Sequence, residues 1–198
     1  MRALPDPSTP LDAQEAAAAF AAILDGTAPD EAIGPFLLAL SDRGETADEI
    51  AAAAQEMRRR MIPVRAPAGA IDVCGTGGDG HHTLNVSTAV SLVVAACDVP
   101  VAKHGNRAAS SKAGAADTLE ALGLDLNRLA DNAERSLADI GIGFLFAQKH
   151  HPALARIAPI RRALLNQMGP KPTAALEPLA RQVVTALLSE LGESDEID

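Results

Sequence analysis

Residues 71–112 read IDVCGTGGDGHHTLNVSTAVSLVVAACDVPVAKHGNRAASSK, and this stretch decides the fold. A short apolar run, Ile71 to Cys74, enters a glycine-rich loop, Gly75-Thr-Gly-Gly-Asp-Gly80. Asn85-Val-Ser-Thr88 then opens a strongly apolar stretch. A second apolar run, Val99 to Ala102, delivers Lys103-His-Gly-Asn-Arg107 and Ser110-Ser111-Lys112. The order is strand, anion loop, helix, strand, second polar loop. Glycines between strand and helix let backbone N–H groups approach an anion, and the helix N-terminus adds partial positive charge. Asn85, Ser87 and Thr88 supply side-chain donors there. A hydroxyl so placed binds phosphate oxygens or completes a Mg²⁺ shell. The loop lacks the lysine of a P-loop. Its glycines fit dinucleotide-loop spacing, but Lys103 and His104 stand about twenty residues on, where an acid would hold a ribose. A dinucleotide site is disfavoured.

Loops that follow neighbouring parallel strands open on the same sheet edge. Lys103, Asn106, Arg107, Ser110 and Ser111 are therefore expected to face the glycine loop. Two converging loops, one neutral and one cationic, suit a ligand with several phosphates. The chain has 198 residues and a net charge of −9, yet no acid lies between Asp98 and Asp117. That window predicts a local positive patch, while the overall acidity argues against a nucleic-acid binder. The core must be aliphatic, because there are four Phe and no Trp or Tyr. No apolar run reaches the ~18 residues of a membrane span. The start, MRALPDPSTP, lacks the apolar segment of a secretory signal. Cys74 and Cys97 have no CxxC spacing and read as small core residues of a reduced, cytoplasmic chain.

Upstream, Thr9 is expected to cap a first helix with Pro10 in its first turn and Gly26 at its end. A second helix follows Pro29 and closes at Gly44, with Ile33, Phe36, Leu37 and Leu40 at helical spacing and Gly34-Pro35 as a flaw in the pattern. Thr46 and Glu49 form a capping-box pair for a third helix ending near Arg58-Arg59-Arg60. Residues 63–69 read as a linker. Beyond it, strands are expected at about 71–74, 99–102 and 142–147, alternating with helices. Residues 125–140 and 152–165 read as helices, and 174–191 as a last amphipathic one. The expected architecture is a helical domain at 1–66 and an α/β domain at 67–198, with residues 152–191 helical. A small, mainly parallel sheet flanked by helices forms the second domain.

The pattern GTGGDG, then T-x-N-x-ST, then KHGNR-x-x-SS resembles the signature of the anthranilate phosphoribosyltransferase family. DRGET-x-DEIA at Asp42 to Ala51, GAADTLEALG at Gly114 to Gly123, GFLFA-x-x-HHPA and PIRR at Pro159 to Arg162 extend the resemblance over about residues 10–165. It implies a fold of the class shared by nucleoside phosphorylases and class II phosphoribosyltransferases. It implies transfer of the 5-phosphoribosyl group from phosphoribosyl pyrophosphate to the amine of anthranilate, in tryptophan biosynthesis, with Mg²⁺. It also implies a homodimer through the helical domain. Carried over by motif, Gly75, Gly78, Asp79, Thr83, Asn85, Val86, Ser87 and Thr88 would hold phosphoribosyl pyrophosphate. So would Lys103 and the run His104, Gly105, Asn106, Arg107, Ala108, Ala109, Ser110 and Ser111. Gly75, Asn106 and Arg161 would contact anthranilate, and Ser87 would be a Mg²⁺ ligand.

Some features depart from the pattern. Ala115 stands where the family usually has a phosphate-binding serine. A full family member continues beyond residue 165 with more strands, so the C-terminal part of the α/β domain is expected to be truncated. Asp195-Glu196 would be a remnant of a second metal site or a solvated tail. No general base is assigned, because the aromatic amine is uncharged at neutral pH. The adjacent pairs His81-His82 and His150-His151 suggest metal ligands, but neighbouring side chains diverge, which favours loop or edge roles. Two functions follow: an active phosphoribosyltransferase, or a catalytically weak or inactive relative that binds a phosphorylated ligand or a protein partner.

Overall fold

The computed structural model describes residues 1–73, 85–107 and 114–168, without the side chains of 161–162 and 165–168. Its elements are α1 (Ala13–Leu24), α2 (Asp30–Arg43), α3 (Ala47–Arg59), α4 (Val86–Ala96), β1 (Val101–Gly105), α5 (Ala115–Ala121), α6 (Leu126–Asp131), α7 (Ala133–Ile140), β2 (Ile142–Phe146), α8 (Ala147–His150) and α9 (Pro152–Met168). Two compact units result. Among the described residues, unit 1 joins Met1–Met61 to the chain from Ala153 to Met168, and unit 2 lies within Ile62–Pro152.

Unit 1 is helical. Its first helix starts later than Thr9. The Asp12 carboxylate accepts hydrogen bonds from the backbone N–H groups of Gln14 and Glu15, both at 2.8 Å, and Glu15 reaches back to the Asp12 N–H. A charged carboxylate that satisfies two orphan donors outcompetes a single hydroxyl upstream. The helix ends at Leu24, and Gly26 takes the turn at φ +69°. The second helix runs straight through Gly34-Pro35 and is closed by Gly44. Thr46 and Glu49 form the expected capping box.

Ala16, Ala19, Ala22 and Ile23 pack with Ile33, Phe36, Leu40 and Ala52 in the core of this unit. The small alanines let the helices approach closely, and α1 and α3 share that seam. Ile157 and Ile160 of α9 pack against the same core. The sequence reading grouped 152–191 with the α/β domain. In the structure Ile157, Ile160 and the buried Leu164 recur on one face, and by its contacts the described part of α9 clusters with the helical unit. Glu49 is buried at 1% exposure and ties the unit together. It accepts from the backbone N–H groups of Leu11 and Thr46 and from the Arg43 guanidinium at 2.6 Å. Burial pushes its carboxyl up, but these donors outweigh it and hold the group below its usual range.

Unit 2 is built on a parallel pair, with Val101 opposite Ile142 through Gly105 opposite Phe146. Ile71 forms a parallel bridge to Val101 on the other side of β1. Among the described residues the expected strand at 71–74 is therefore one bridge, with residue 74 outside them. The strand expected at 99–102 begins two residues later and continues to Gly105. The helix expected over 125–140 is two helices. Asn132 breaks it by turning its amide back onto the Arg128 carbonyl at 2.8 Å. The sequence reading also did not anticipate α5.

Two glycines set how closely the helices approach this sheet. A Cβ at Gly105 would lie 2.8 Å from the Cβ of Ala115 and 2.8 Å from the Phe144 ring. One at Gly143 would lie 2.7 Å from the Ala133 carbonyl. Ala116, Leu119, Leu126, Phe144 and Phe146 form the core between α5, α6 and β2. No helix among the described residues is long and apolar enough to cross a membrane.

Candidate functional site

The segments that leave Ile71, β1 and β2 emerge at the carboxyl ends of parallel strands, where α/β sheets bind ligands. Asp72 follows the bridge, Asn106 and Arg107 follow β1, and α8 with His151 follows β2. Asp72 ties two of these segments together by accepting from the His104 N–H at 3.1 Å.

Asn85 sits at the N-cap of α4 without capping it. Its amide nitrogen donates to the Thr118 hydroxyl at 3.0 Å, and its amide oxygen accepts from the Thr88 hydroxyl at 2.9 Å. Thr118 in turn donates to the Gly114 carbonyl at 3.1 Å. The first turn of α4 and the first turn of α5 are thus stapled by one amide. Thr88 is buried, Ser87 is half-buried and Val86 is exposed. Of the expected residues at this position, Asn85 and Thr88 already have partners. Ser87 makes no hydrogen bond to a described residue.

Lys103 lies on the buried face of β1 at 3% exposure. Its ammonium donates to the His104 carbonyl at 2.8 Å, and no carboxylate among the described residues pairs with it. A buried ammonium held by a single carbonyl is undercompensated and attracts an anion. Arg107 behaves differently. It forks onto both oxygens of Glu120 and reaches Asp117 at 3.2 Å, with its guanidinium 5.9 Å from the centre of the Phe146 ring. Glu120 and Asp117 hold Arg107 firmly protonated, and Arg107 lowers the Glu120 carboxyl. Arg107 therefore does not contribute free charge to the positive patch expected from the acid-free window, and Lys112 lies outside the described residues. The acids that neutralise Arg107 come just after the window, in the helix the sequence reading did not anticipate.

Asn106 uses its carbonyl to accept from the Ala116 N–H at 3.2 Å, and its side-chain oxygen accepts from its neighbour's N–H. It caps α5 from outside. Ala115 is the first residue of that helix and lies against Gly105. His104, His150 and His151 gather at the same edge. The His104 and His151 rings meet edge to face at 5.6 Å. The Nε2 atoms of His104 and His150 are buried without a partner among the described residues. Burial lowers the His104 pKa; Asp72 opposes this, and His150 and Lys103 reinforce it. Burial also lowers His151, helped by His104 and His150. These two rings, His104 and His151, favour their neutral form. Among the described residues no group of three or more His, Cys, Asp or Glu is placed to hold a metal.

Gly75, Gly78, Asp79, Thr83, Ala108, Ala109, Ser110, Ser111, Asp195 and Glu196 lie outside the described residues, as do His81-His82. Arg161 lies in α9, but its side chain is not among those described. Thr118, Asp72 and Glu120 are the site residues that sequence reasoning missed. For Thr118 and Glu120 the signal was the phrase GAADTLEALG, read for its resemblance and not as a helix that would face Asn85.

Two family models match the chain. A glycosyl transferase family helical bundle domain covers residues 7–61, and a glycosyl transferase family α/β domain covers residues 68–193. An anthranilate phosphoribosyltransferase from Novosphingobium aromaticivorans is 73% identical over 175 residues, which is 86% of this chain and 53% of that relative. One from Sphingopyxis alaskensis is 71% identical, over 84% of this chain and 52% of the relative. The crystal structure of the anthranilate phosphoribosyltransferase from Thermus thermophilus superposes with a TM-score of 0.79 at 39% identity, covering 91% of this chain and 60% of that one. The Saccharomyces cerevisiae enzyme in complex with PRPP and Mg gives 0.75 at 26% identity, covering 89% and 58%. The chain thus spans about half the length of the curated relatives it matches. With both models matched in order, and the second over more than half of its residues, the chain belongs to this glycosyl transferase family.

Proposed function

We propose that this chain carries the phosphoribosyl-pyrophosphate site of an anthranilate phosphoribosyltransferase. In the reaction the bond from the ribose anomeric carbon to pyrophosphate breaks and a bond from that carbon to the anthranilate nitrogen forms. Pyrophosphate leaves, and the amine loses a proton to solvent. The observation that carries the reading is Lys103, an ammonium buried at the carboxyl edge of the sheet whose one partner among the described residues is the His104 carbonyl. It is built to meet charge that accumulates on a leaving group. Asn85, Thr88 and Thr118 fix the first turn of α4, so the N–H groups of that turn are preorganised toward an anion. The half-buried Ser87 hydroxyl stands beside them.

Ser87 would be a Mg²⁺ ligand. One hydroxyl fits a cation that takes most of its oxygens from substrate and water. When bound, the ion neutralises charge on the diphosphate. Asn106 and Arg161 are assigned to anthranilate, and the remaining loop residues named by motif to the phosphates. A homodimer through the helical unit and a cytoplasmic setting belong to the same reading, and sedimentation tests the first. Identities up to 73% with enzymes of this name support it, and no observation favours an inactive relative.

The test is a turnover assay that follows loss of anthranilate fluorescence with phosphoribosyl pyrophosphate and Mg²⁺, paired with thermal shift. Product and a phosphoribosyl-pyrophosphate-dependent rise in Tm are expected. A shift without product overturns transfer by this chain, and neither signal overturns the site.

A further inference from the structure

Helix α5 is short, yet it grips two other segments at once. Its Thr118 hydroxyl accepts the Asn85 amide, which fixes the start of α4. Its Ala116 N–H donates to the Asn106 carbonyl at 3.2 Å, just past the carboxyl end of β1. Asp117 and Glu120 stand three positions apart, side by side on the helix surface. Together they take the next residue of that same segment. Arg107 forks onto both Glu120 oxygens and reaches Asp117 at 3.2 Å. Asp117 also accepts the Gly114 N–H at 2.8 Å, so the Arg107 clasp joins the group that caps the helix. The guanidinium rests 5.9 Å from the ring centre of Phe146, the last residue of β2. A bidentate fork of this kind fixes geometry as well as charge.

That geometry is poorly suited to holding a phosphate. An anion seated in the fork would displace Glu120 and Asp117, but both are anchored on α5 and would stay beside it. Their repulsion would offset the attraction of the guanidinium. Lys103 is the opposite case, a buried ammonium with no carboxylate partner among the described residues. We infer that Arg107 is a positioning residue and not a phosphate ligand: its clasp on Glu120 and Asp117 sets the end of β1, with Asn106, against the same helix that holds the start of α4. Glu120 is its working partner, and α5 is the template that aligns the two segments. The inference rests on the proposed phosphoribosyl-pyrophosphate site, and for this one loop residue it replaces the phosphate contact that the motif implies.

The experiment titrates pyrophosphate with Mg²⁺ into the full chain and its variants by calorimetry. The sign of the Glu120→Gln effect decides. Removing a negative charge near an anion site raises affinity when charge alone acts, and raises it further when a phosphate-binding Arg107 is set free. A positioning role predicts the reverse, a fall of about threefold, within what an exposed ion pair can couple. Arg107→Met should fall by a similar factor, and the double variant should fall no further, because both changes break one contact. Both side chains are exposed, so the variants keep the circular dichroism of the parent. Without ligand, the Ala116 amide should exchange faster in Glu120→Gln, while the α6 amides keep their rates. Affinity that is unchanged or rises in Glu120→Gln overturns the inference and leaves the site standing. So do losses that multiply in the double variant, or an Ala116 amide indifferent to Glu120→Gln. A parent chain that binds no pyrophosphate overturns the proposed site and the inference with it.

Discussion

Asn85 and Thr118 are 33 positions apart, and the amide of one donates to the hydroxyl of the other at 3.0 Å. Through this contact the two helices that begin at the candidate site share one fixed starting point. Thr118→Val preserves shape and leaves the Asn85 amide without its acceptor. A loss of about 1–2 kcal/mol is expected from urea denaturation. Affinity for phosphoribosyl pyrophosphate should fall as well, since α4 loses its registration. Unchanged affinity with reduced stability would limit Thr118 to a structural role.

Lys103→Met keeps the buried stem and removes the charge. Pyrophosphate affinity should fall at least about tenfold, or about 1.4 kcal/mol, by isothermal titration. The fold should hold or gain stability, because the wild-type ammonium is buried with no carboxylate partner among the described residues. Equal pyrophosphate affinity in the two proteins would remove Lys103 from the site.

The histidine cluster makes stability depend on pH. His104 and His151 have folded pKa values below the ordinary 6.5, first because of burial and then because of neighbouring charge, His150 acting on both. Between the folded values and 6.5 the unfolded chain binds protons that the native chain refuses. Stability is therefore fully present above about pH 6.5 and declines as pH falls through the folded values. Urea midpoints measured from about pH 8 down to about pH 5 should decrease, and His151→Gln should flatten that decrease. A profile of the same slope in the variant would place the dependence elsewhere.

Gly105→Ala puts a methyl group 2.8 Å from both Ala115 and the Phe144 ring. Backbone and ring must move apart, at a cost of about 1–3 kcal/mol. A lowered Tm is expected, with β1 and α5 exchanging amide protons faster than α6. A Tm equal to wild type would mean that α5 yields freely.

Glu49→Ala removes a buried carboxylate that serves Leu11, Thr46 and Arg43 at once. About 3–5 kcal/mol is expected, the cost of leaving buried donors and an ion unpartnered. Glu49→Gln should recover part of it. Loss of less than the surface-pair range of about 1 kcal/mol would mean water takes over these donors.

The helical unit was legible because its signals are local. The capping box at Thr46 and Glu49, the stop at Gly44 and the spacing of Ile33, Phe36 and Leu40 each act within a few residues. The start at Asp12 was missed because Thr9-Pro10 offers an equally familiar cap signal, and only structure shows which donors are met. At the site, motif and spacing pointed to Lys103 and Asn85. They did not point to the Arg107–Glu120 pair or the Asn85–Thr118 contact, which join segments that only the fold brings together. The placement of α9 was hidden for the same reason. An apolar face at Ile157 and Ile160 says that something covers it, not which unit does.

Ile62 donates its N–H to the His150 carbonyl at 2.8 Å, and His150 Nδ1 lies 3.3 Å from the Ile62 carbonyl, across 88 positions of chain. Unit 2 therefore begins and ends at a single point, fastened by that pair. Topologically it is a guest within the helical unit, whose own chain resumes at Ala153. A guest with adjoining ends can be excised, replaced or exchanged between hosts without altering the span its host must bridge. A change confined to the guest thus leaves the path of the host chain as it is.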